Sequence, residues 1–452
     1  MTLSQIVAIV IFLLMFAAII WGKVHRYIPA LIGGALVLAV VFLALEKNPQ
    51  MIASVFNFGQ LGHIRFWVPG QEHIESHGVN WQTIIFIGGM MVMVEGMGRV
   101  GFFRWLCLLV AKLVHYRLIP ILITFMVLSG FLAMFIDSIT VLLFMASVTV
   151  ELARLLKFDP VPVIIAEIFA ANTGGSATMC GDPPNIIIGT AFGYTFFDFA
   201  TNTGPIAWAG MVLALVFFYL VCRRILGGQQ ESTGGVLQKY PEPKDAIVNP
   251  RLFMINTIIF IIVVILLITH AQTGISVALI GVIATVLVLG FAGKEVNHVI
   301  RGVDWRTLLF FIGLFVCVGG LEETGVLKML AEYIGDASGG KMVLVMPIIL
   351  WLSAFASAIV DNIPFAATMV PVIKGLSVTA GLPLPTLAWT LALGTDIGGN
   401  ATPIGASANV VGTAIAEREG YPIGWGRFLK YAGPSTILVV ALCWLLLAVR
   451  YL

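Results

Sequence analysis

The stretch ANTGGSATMCGDPPN at 171–185 decides how this chain is read. It interrupts a long apolar region, 118–200, with glycine, asparagine, threonine, aspartate and a Pro-Pro pair. A counterpart, DIGGNATPIGASAN at 396–409, interrupts a second apolar region, 342–416. Backbone cannot run unpaired through hydrocarbon, so such breaks persist only where they are buried in protein or line a cavity. Glycines let the chain turn sharply and let a solute approach the backbone. Half-helix N-termini then offer N–H groups to an anion, and half-helix C-termini offer carbonyls to a cation. The two breaks predict a site that takes an anion together with a coupling cation.

Working outward, the surrounding chain is lipid-solvated. Of 452 residues, 59% are hydrophobic and 11% charged, against about 25% charge in soluble domains. The net charge of +2 gives no electrostatic footprint for nucleic acid. Apolar runs of spanning length lie at 4–21, 28–45, 81–97, 205–222, 252–270, 275–293, 305–321 and 431–448. The first is read as a retained span rather than a cleaved leader. The interrupted regions are read as re-entrant hairpins, 118–156 and 342–380, each followed by a broken helix, 160–200 and 384–416. Asp137 and Asp361 fall near the hairpin tips.

The two halves repeat at an offset of 224 residues. Trp81 and Thr83 match Trp305 and Thr307, Asp137 matches Asp361, Gly174-Gly175 matches Gly398-Gly399, Thr178 matches Thr402, and Asn185 matches Asn409. Before Trp81 the register slips, since Gly33 matches Gly281. The extra residues fall in 46–80, read as an outer-loop insertion that caps the protein. The resulting fold class is an all-α polytopic membrane protein of two inverted five-crossing repeats, 1–224 and 251–452, joined by a cytoplasmic linker, 225–250. An odd crossing number inverts the second repeat. With both termini outside, only Lys47, Arg65, Lys328, Lys341, Lys374 and Arg450 of the 25 lysines and arginines fall outside, as the positive-inside rule requires. Segments 99–117 and 323–336 are read as interfacial amphipathic helices.

Chemistry concentrates in the interruptions. The predicted substrate- and ion-binding residues are Asp137, Ser138, Thr140, Asn172, Thr173, Gly175, Thr178, Asp182 and Asn185 in the first half. In the second they are Asp361, Asn362, Asp396, Gly399, Asn400, Thr402, Ser407 and Asn409. Intramembrane carboxylates are costly unless they face a partner or a polar cavity. Asp137, Asp182, Asp361 and Asp396 are therefore read as proton- or cation-handling groups, with N-capping the alternative, most of all for Asp182 before Pro183-Pro184. Sodium would sit near Asp137 and Asn172, or near Asp361 and Asp396. Glu95 and Glu167 also occupy apolar segments but lack acidic counterparts. The five cysteines show no ligand or disulfide spacing, and His73 and His77 read as a polar loop. No cofactor is expected beyond H+ or Na+ as coupling ion. No nucleophile–base motif marks an enzyme.

The 174–185 segment resembles the Gly-Gly-Thr-Ala-Thr…Gly-(Asp/Thr)-Pro-Pro-Asn signature of the ion transporter superfamily. Asp182 makes it most similar to the branch of the melanosomal P protein and the arsenite permeases. Thr395-Asp396-Ile397-Gly398 and Thr402-Pro403-Ile404-Gly405 also resemble the arsenite permease pattern. Asp137-Ser138 and Asp361-Asn362 stand where sodium-coupled relatives carry a Ser-Asn-Thr triplet. The resemblance implies an elevator-type carrier, a mobile unit of hairpins and broken helices against a scaffold that is often dimeric, in the inner (plasma) membrane. Its substrate would be a small anion or a neutral oxyacid such as arsenite. A sodium/proton antiporter and an anion channel are the alternatives.

Overall fold

The computed structural model describes residues 1–70, 78–232 and 240–452. His73 and His77 lie outside the described residues, as does part of the linker. All regular structure among the described residues is helical, and 11 helices there are long and apolar enough to cross a membrane.

Helix α1 (Leu3–Trp21) opens on a capping box at Thr2 and closes at left-handed Gly22. Helix α2 (Tyr27–Leu36) runs on as a π-helix through Leu45. Short helices α3 (Gln50–Phe56) and α4 (Ile64–Trp67) occupy the 46–80 segment. There the Ser276 N–H donates to the Trp67 carbonyl and the Trp81 indole donates to the Phe56 carbonyl. The segment thus closes over the helix ends, as a cap would.

From there the helices recur at the 224-residue offset. Helices α5 (Trp81–Arg99) and α15 (Trp305–Glu323) have identical extents after the shift. Each starts on a side-chain cap, Asn80 or Asp304, that accepts the N–H of Thr83 or Thr307. Next come α6 (Phe102–Leu113) and α16 (Val326–Ser338), both amphipathic, as the sequence predicts. Helices α7 (Leu118–Leu132) and α8 (Ser138–Leu156) form one hairpin, and α17 (Met342–Ile359) and α18 (Asn362–Ala380) the other. Helices α9 (Val161–Gly175) and α10 (Pro183–Phe192) flank the first break, and α19 (Leu384–Gly398) and α20 (Ser407–Arg418) the second. Long helices α11 (Phe196–Ser232) and α21 (Trp425–Tyr451) close the halves. The second half opens with α12 (Pro250–Thr273), α13 (Val277–Ala292) and α14 (Val296–Gly302).

Packing exchanges elements between halves. Helix α13 lies on α5, and α2 lies on α15. Both crossings are glycine contacts: a Cβ on Gly89 would stand 2.2 Å from the Gly281 carbonyl, and one on Gly34 3.3 Å from that of Gly313. Backbones approach this closely because lipid offers no hydrophobic drive between helices, so association rests on close packing. Around the breaks, α7 packs on α9 and α17 on α19, whereas α8 packs on α20 and α18 on α10. Each hairpin therefore holds its own broken helix with both arms and also reaches the opposite half with the second. The described end of the linker docks on α6, where Tyr240 stacks on Tyr116 at 4.3 Å.

Candidate functional site

The two breaks are built alike. Asn185 donates from Nδ2 to the carbonyls of Gly175 (3.2 Å) and Thr178 (3.0 Å). Its counterpart Asn409 donates to Gly399 and Thr402, both at 2.7 Å. These bonds satisfy carbonyls left open where α9 and α19 stop. Thr178 donates its hydroxyl to the Met134 carbonyl in the first hairpin turn, and Thr402 to Ala358 in the second. A Cβ on Gly181 would meet the Gly175 carbonyl at 2.3 Å, and one on Gly405 the Gly399 carbonyl at 2.5 Å. Only glycine lets the chain fold back on itself there.

The halves meet through amides. Asn172 donates from Nδ2 to Asn400 Oδ1 (2.9 Å) and Asn409 Oδ1 (2.8 Å), and Asn400 donates to the Thr173 hydroxyl (3.3 Å). All four are at most 1% exposed. The sequence places these residues around a polar cavity. In the structure they close on one another, since each amide carries both donor and acceptor and can fill the gap itself.

Asp182 is the centre of the cluster. It is 2% exposed. Its Oδ1 accepts from the Ser138 hydroxyl and its Oδ2 from the Asn362 amide, each at 2.7 Å. Ser138 and Asn362 are equivalent positions of the two hairpins, so one carboxylate ties both tips together. Asp137, Asp361 and Asp396 all lie near enough to act on Asp182 electrostatically. Asp182 precedes α10 yet makes no side-chain cap bond.

Capping falls instead to Asp137 and Asp361. Asp137 accepts from the N–H (3.0 Å) and hydroxyl (2.7 Å) of Thr140 at the start of α8. Asp361 accepts from the Ile363 N–H at the start of α18. The hairpin caps turn Asp137 and Asp361 toward their own helices. Asp361 also accepts from Ser407 (2.7 Å) and pairs with Arg26 Nη1 at 2.7 Å. Arg26 further bonds Ser407 and the Thr307 hydroxyl and lies over the Phe310 ring.

Arg26 is a residue that sequence reasoning counts only as a cytoplasmic cation. Its partner stands 335 positions away, and no local pattern points to it. Glu167 was visible as a carboxylate in an apolar run; it is fully buried and accepts from Thr149. Glu95 pairs with Arg99 one turn on. All five cysteines are free and buried. Among the described residues no group of histidine, cysteine and acidic side chains could hold a metal ion.

A cavity of about 280 Å³ opens beside Pro69, Gly70, His270 and Ser276 and reaches Met179 of the first break and Thr190 of α10. None of the clustered asparagines lines it.

Comparison with known proteins agrees with this architecture. The chain is 31% identical over 450 residues to an uncharacterized transporter of Mycobacterium tuberculosis, covering 99% of both chains. It is 30% identical to a 46 kDa membrane protein of Mycobacterium leprae, again covering 99% of both. It is 27% identical over 520 residues to the human P protein, covering 96% of this chain and 58% of that one. In fold it is similar to the Alcanivorax borkumensis YdaH transporter, with TM-score 0.58, 14% identity and coverage of 99% and 98%. Two of these, the Mycobacterium tuberculosis relative and the YdaH protein, are named as transporters. A family model described as "Citrate transporter" matches residues 16–394, and the chain belongs to that citrate transporter family of multi-pass membrane proteins.

Proposed function

We propose that this protein is a secondary carrier that moves a small anion across the plasma membrane by alternating access, driven by protons or sodium. The observation that carries the reading is the paired construction of the breaks around Asp182. Two equivalent half-helix junctions, each cradled by an asparagine, converge on one buried carboxylate held by both hairpin tips. Such a junction offers polar backbone to a solute at membrane depth without exposing it to lipid. The start of α20, with Ser407 and Arg26 beside it, is suited to an anion. The family description makes citrate the first substrate to try, and a neutral oxyacid such as arsenite the second.

In this reading the chain holds two inverted repeats with re-entrant hairpins. Hairpins and broken helices form the moving unit of an elevator, and α1, α2, α5, α12, α13 and α15 form the scaffold. Contact between the two units is sparse, chiefly α10 on α5 and α18 on α15, which suits a sliding interface. Both termini face outside. Exposed apolar residues of α12, such as Met254, Ile258 and Ile261, face lipid or a second copy in a homodimer. Asp137, Asp361 and Asp396, gathered near Asp182, also favour a second reading, a sodium/proton antiporter. Uptake of labelled citrate and arsenite into proteoliposomes, with pH and sodium gradients imposed separately, decides between them. Saturable uptake of either solute supports the carrier. Sodium-for-proton exchange with no uptake of either supports the antiporter, and unsaturable anion current would indicate a channel.

A further inference from the structure

We infer that Asp396 is a proton-binding site of this carrier, which bonds to the Asn185 side chain in its protonated form and releases it on losing the proton. The inference rests on the transport reading above and adds the identity of the coupling ion and the group that holds it.

The argument starts from the repeat. Positions 172 and 396 are equivalent, and so are 185 and 409. On one side of the cluster, Asn172 donates an N–H to Asn409 Oδ1 at 2.8 Å. On the other side the equivalent pair is Asp396 and Asn185, which lie side by side. A carboxylate has no hydrogen to give. Both Asp396 oxygens and Asn185 Oδ1 are buried without any hydrogen-bond partner, and Asp396 is 0% exposed. Buried polar atoms are almost always paired, so an orphaned group of acceptors calls for an explanation.

Asp182 does not share this deficit. Its two oxygens are engaged by Ser138 and Asn362, so it is satisfied as a carboxylate. Asn172 Oδ1 is unpartnered as well, so what the Asp396 side lacks relative to the Asn172 side is one hydrogen. A proton on Asp396 supplies it: the new O–H donates to Asn185 Oδ1 as the Asn172 N–H does to Asn409, and the carboxylate no longer faces Asp182 as a like charge. Loss of the proton to water breaks that bond and restores the repulsion.

Several other charged groups on elements around α19 are matched elsewhere. Glu167 on α9 accepts from Thr149, and Asp361 at the start of α18 pairs with Arg26. Asp198 on α11 accepts from Thr195, and Arg427 on α21 pairs with Asp159. Helix α17 carries no ionisable residue. Asp182 is the charged group acting on Asp396.

The test is the infrared spectrum of purified, detergent-solubilised protein in the stretching region of protonated carboxyl groups. At neutral pH the wild type should show a buried protonated-carboxyl band that Asp396→Asn removes and Asp137→Asn leaves. Asn172→Asp, which copies the Asp396 arrangement onto the other side, should add a second band. If the wild-type minus Asp396→Asn difference shows no such band, the inference is overturned. Loss of the wild-type band when choline chloride is replaced by sodium chloride overturns it too, in favour of sodium. In proteoliposomes, citrate uptake by Asp396→Asn should no longer respond to an imposed pH gradient. Full gradient-driven uptake by this variant would also overturn the site. A wild type that takes up no citrate would sink the substrate reading instead, and the infrared result would still decide the site.

Discussion

Arg26 gives the sharpest test of how the two units hold each other. It stands at the start of α2, and its guanidinium reaches Asp361 and Ser407 at the starts of α18 and α20 while also holding Thr307 of α15; under the proposal above it links scaffold to moving unit. Arg26→Gln keeps a hydrogen-bonding amide and removes the charge. The side chains of Arg26 and Asp361 are 26% and 11% exposed, so the pair falls between two limits. An exposed pair contributes about 0.2–1 kcal/mol, and stranding one member of a fully buried pair costs about 3–5 kcal/mol. A hydrogen bond to a charged group, about 1.5–3 kcal/mol, is the suitable scale. Because the contact links the two units, the loss acts on their relative position as well as on folding. At about 1.4 kcal/mol per tenfold, the population of the described arrangement should fall roughly 10- to 100-fold against its alternative. The assay is a distance distribution between labels at Met254→Cys on α12 and Val378→Cys on α18, both exposed, with the native cysteines buried. Arg26→Gln should broaden or shift the distribution. In an Asp361→Asn background the same change should add little. Unchanged distributions, or fully additive effects, would refute the reasoning.

Other expectations follow from the packing. Gly89→Ala drives a Cβ into the Gly281 carbonyl at 2.2 Å; overpacking of this kind costs about 1–3 kcal/mol, and the melting temperature in detergent should drop. Asn185→Ala removes two bonds from the first break and leaves buried carbonyls unpaired, about 2–4 kcal/mol in total. Asn409→Ala removes the two equivalent bonds and also the one from Asn172, so it should cost more, and a smaller cost would contradict the described contacts. On the surface, Lys112 lies 2.5 Å from Glu242 and holds its carboxyl below the usual value. That contribution is present above the ordinary carboxylate pKa of about 4.3 and is lost as the pH falls through the lower folded value. Hydrogen exchange of residues 240–249 should therefore rise at acid pH, and Lys112→Gln should abolish the pH step.

Much of this fold was legible because the repeat is written in rare residues. Trp81 and Trp305, Asp137 and Asp361, and Asn185 and Asn409 keep one register, and the helices around them start and stop at matching positions. Gly and Pro mark the breaks for a plain steric reason, and both breaks lie where the sequence put them. Side-chain partnership was much less legible. Asp137 and Asp361 invite a shared reading from their positions, yet one bonds only within its own hairpin turn in the described contacts while the other reaches Arg26. Asp182, which stands where an N-cap should, spends both oxygens on the hairpin tips. Local pattern fixes where a polar group sits along a helix. It carries no information about which of several equidistant donors from other segments will reach it.

The two ends of the scaffold grip the rest of the protein at unequal heights. Thr83, at the start of α5, bonds Thr190 near the end of α10. Its counterpart Thr307 is joined through Arg26 to Ser407, at the beginning of α20. The residue of α20 equivalent to Thr190 is Ala414, seven positions further on. At 1.5 Å per residue the two grips differ by about 10 Å along the helix. If the halves are inverted repeats working by alternating access, as proposed above, the mirror of this offset is the second resting place for the same parts. There Thr307 would sit against Ala414, and Thr83 against Pro183 and Asp137. Position 274, which matches Arg26 in the earlier register, is a glycine. The mirrored arrangement would have no such ion pair, so under that proposal its two end states would differ in energy by about what Arg26 supplies.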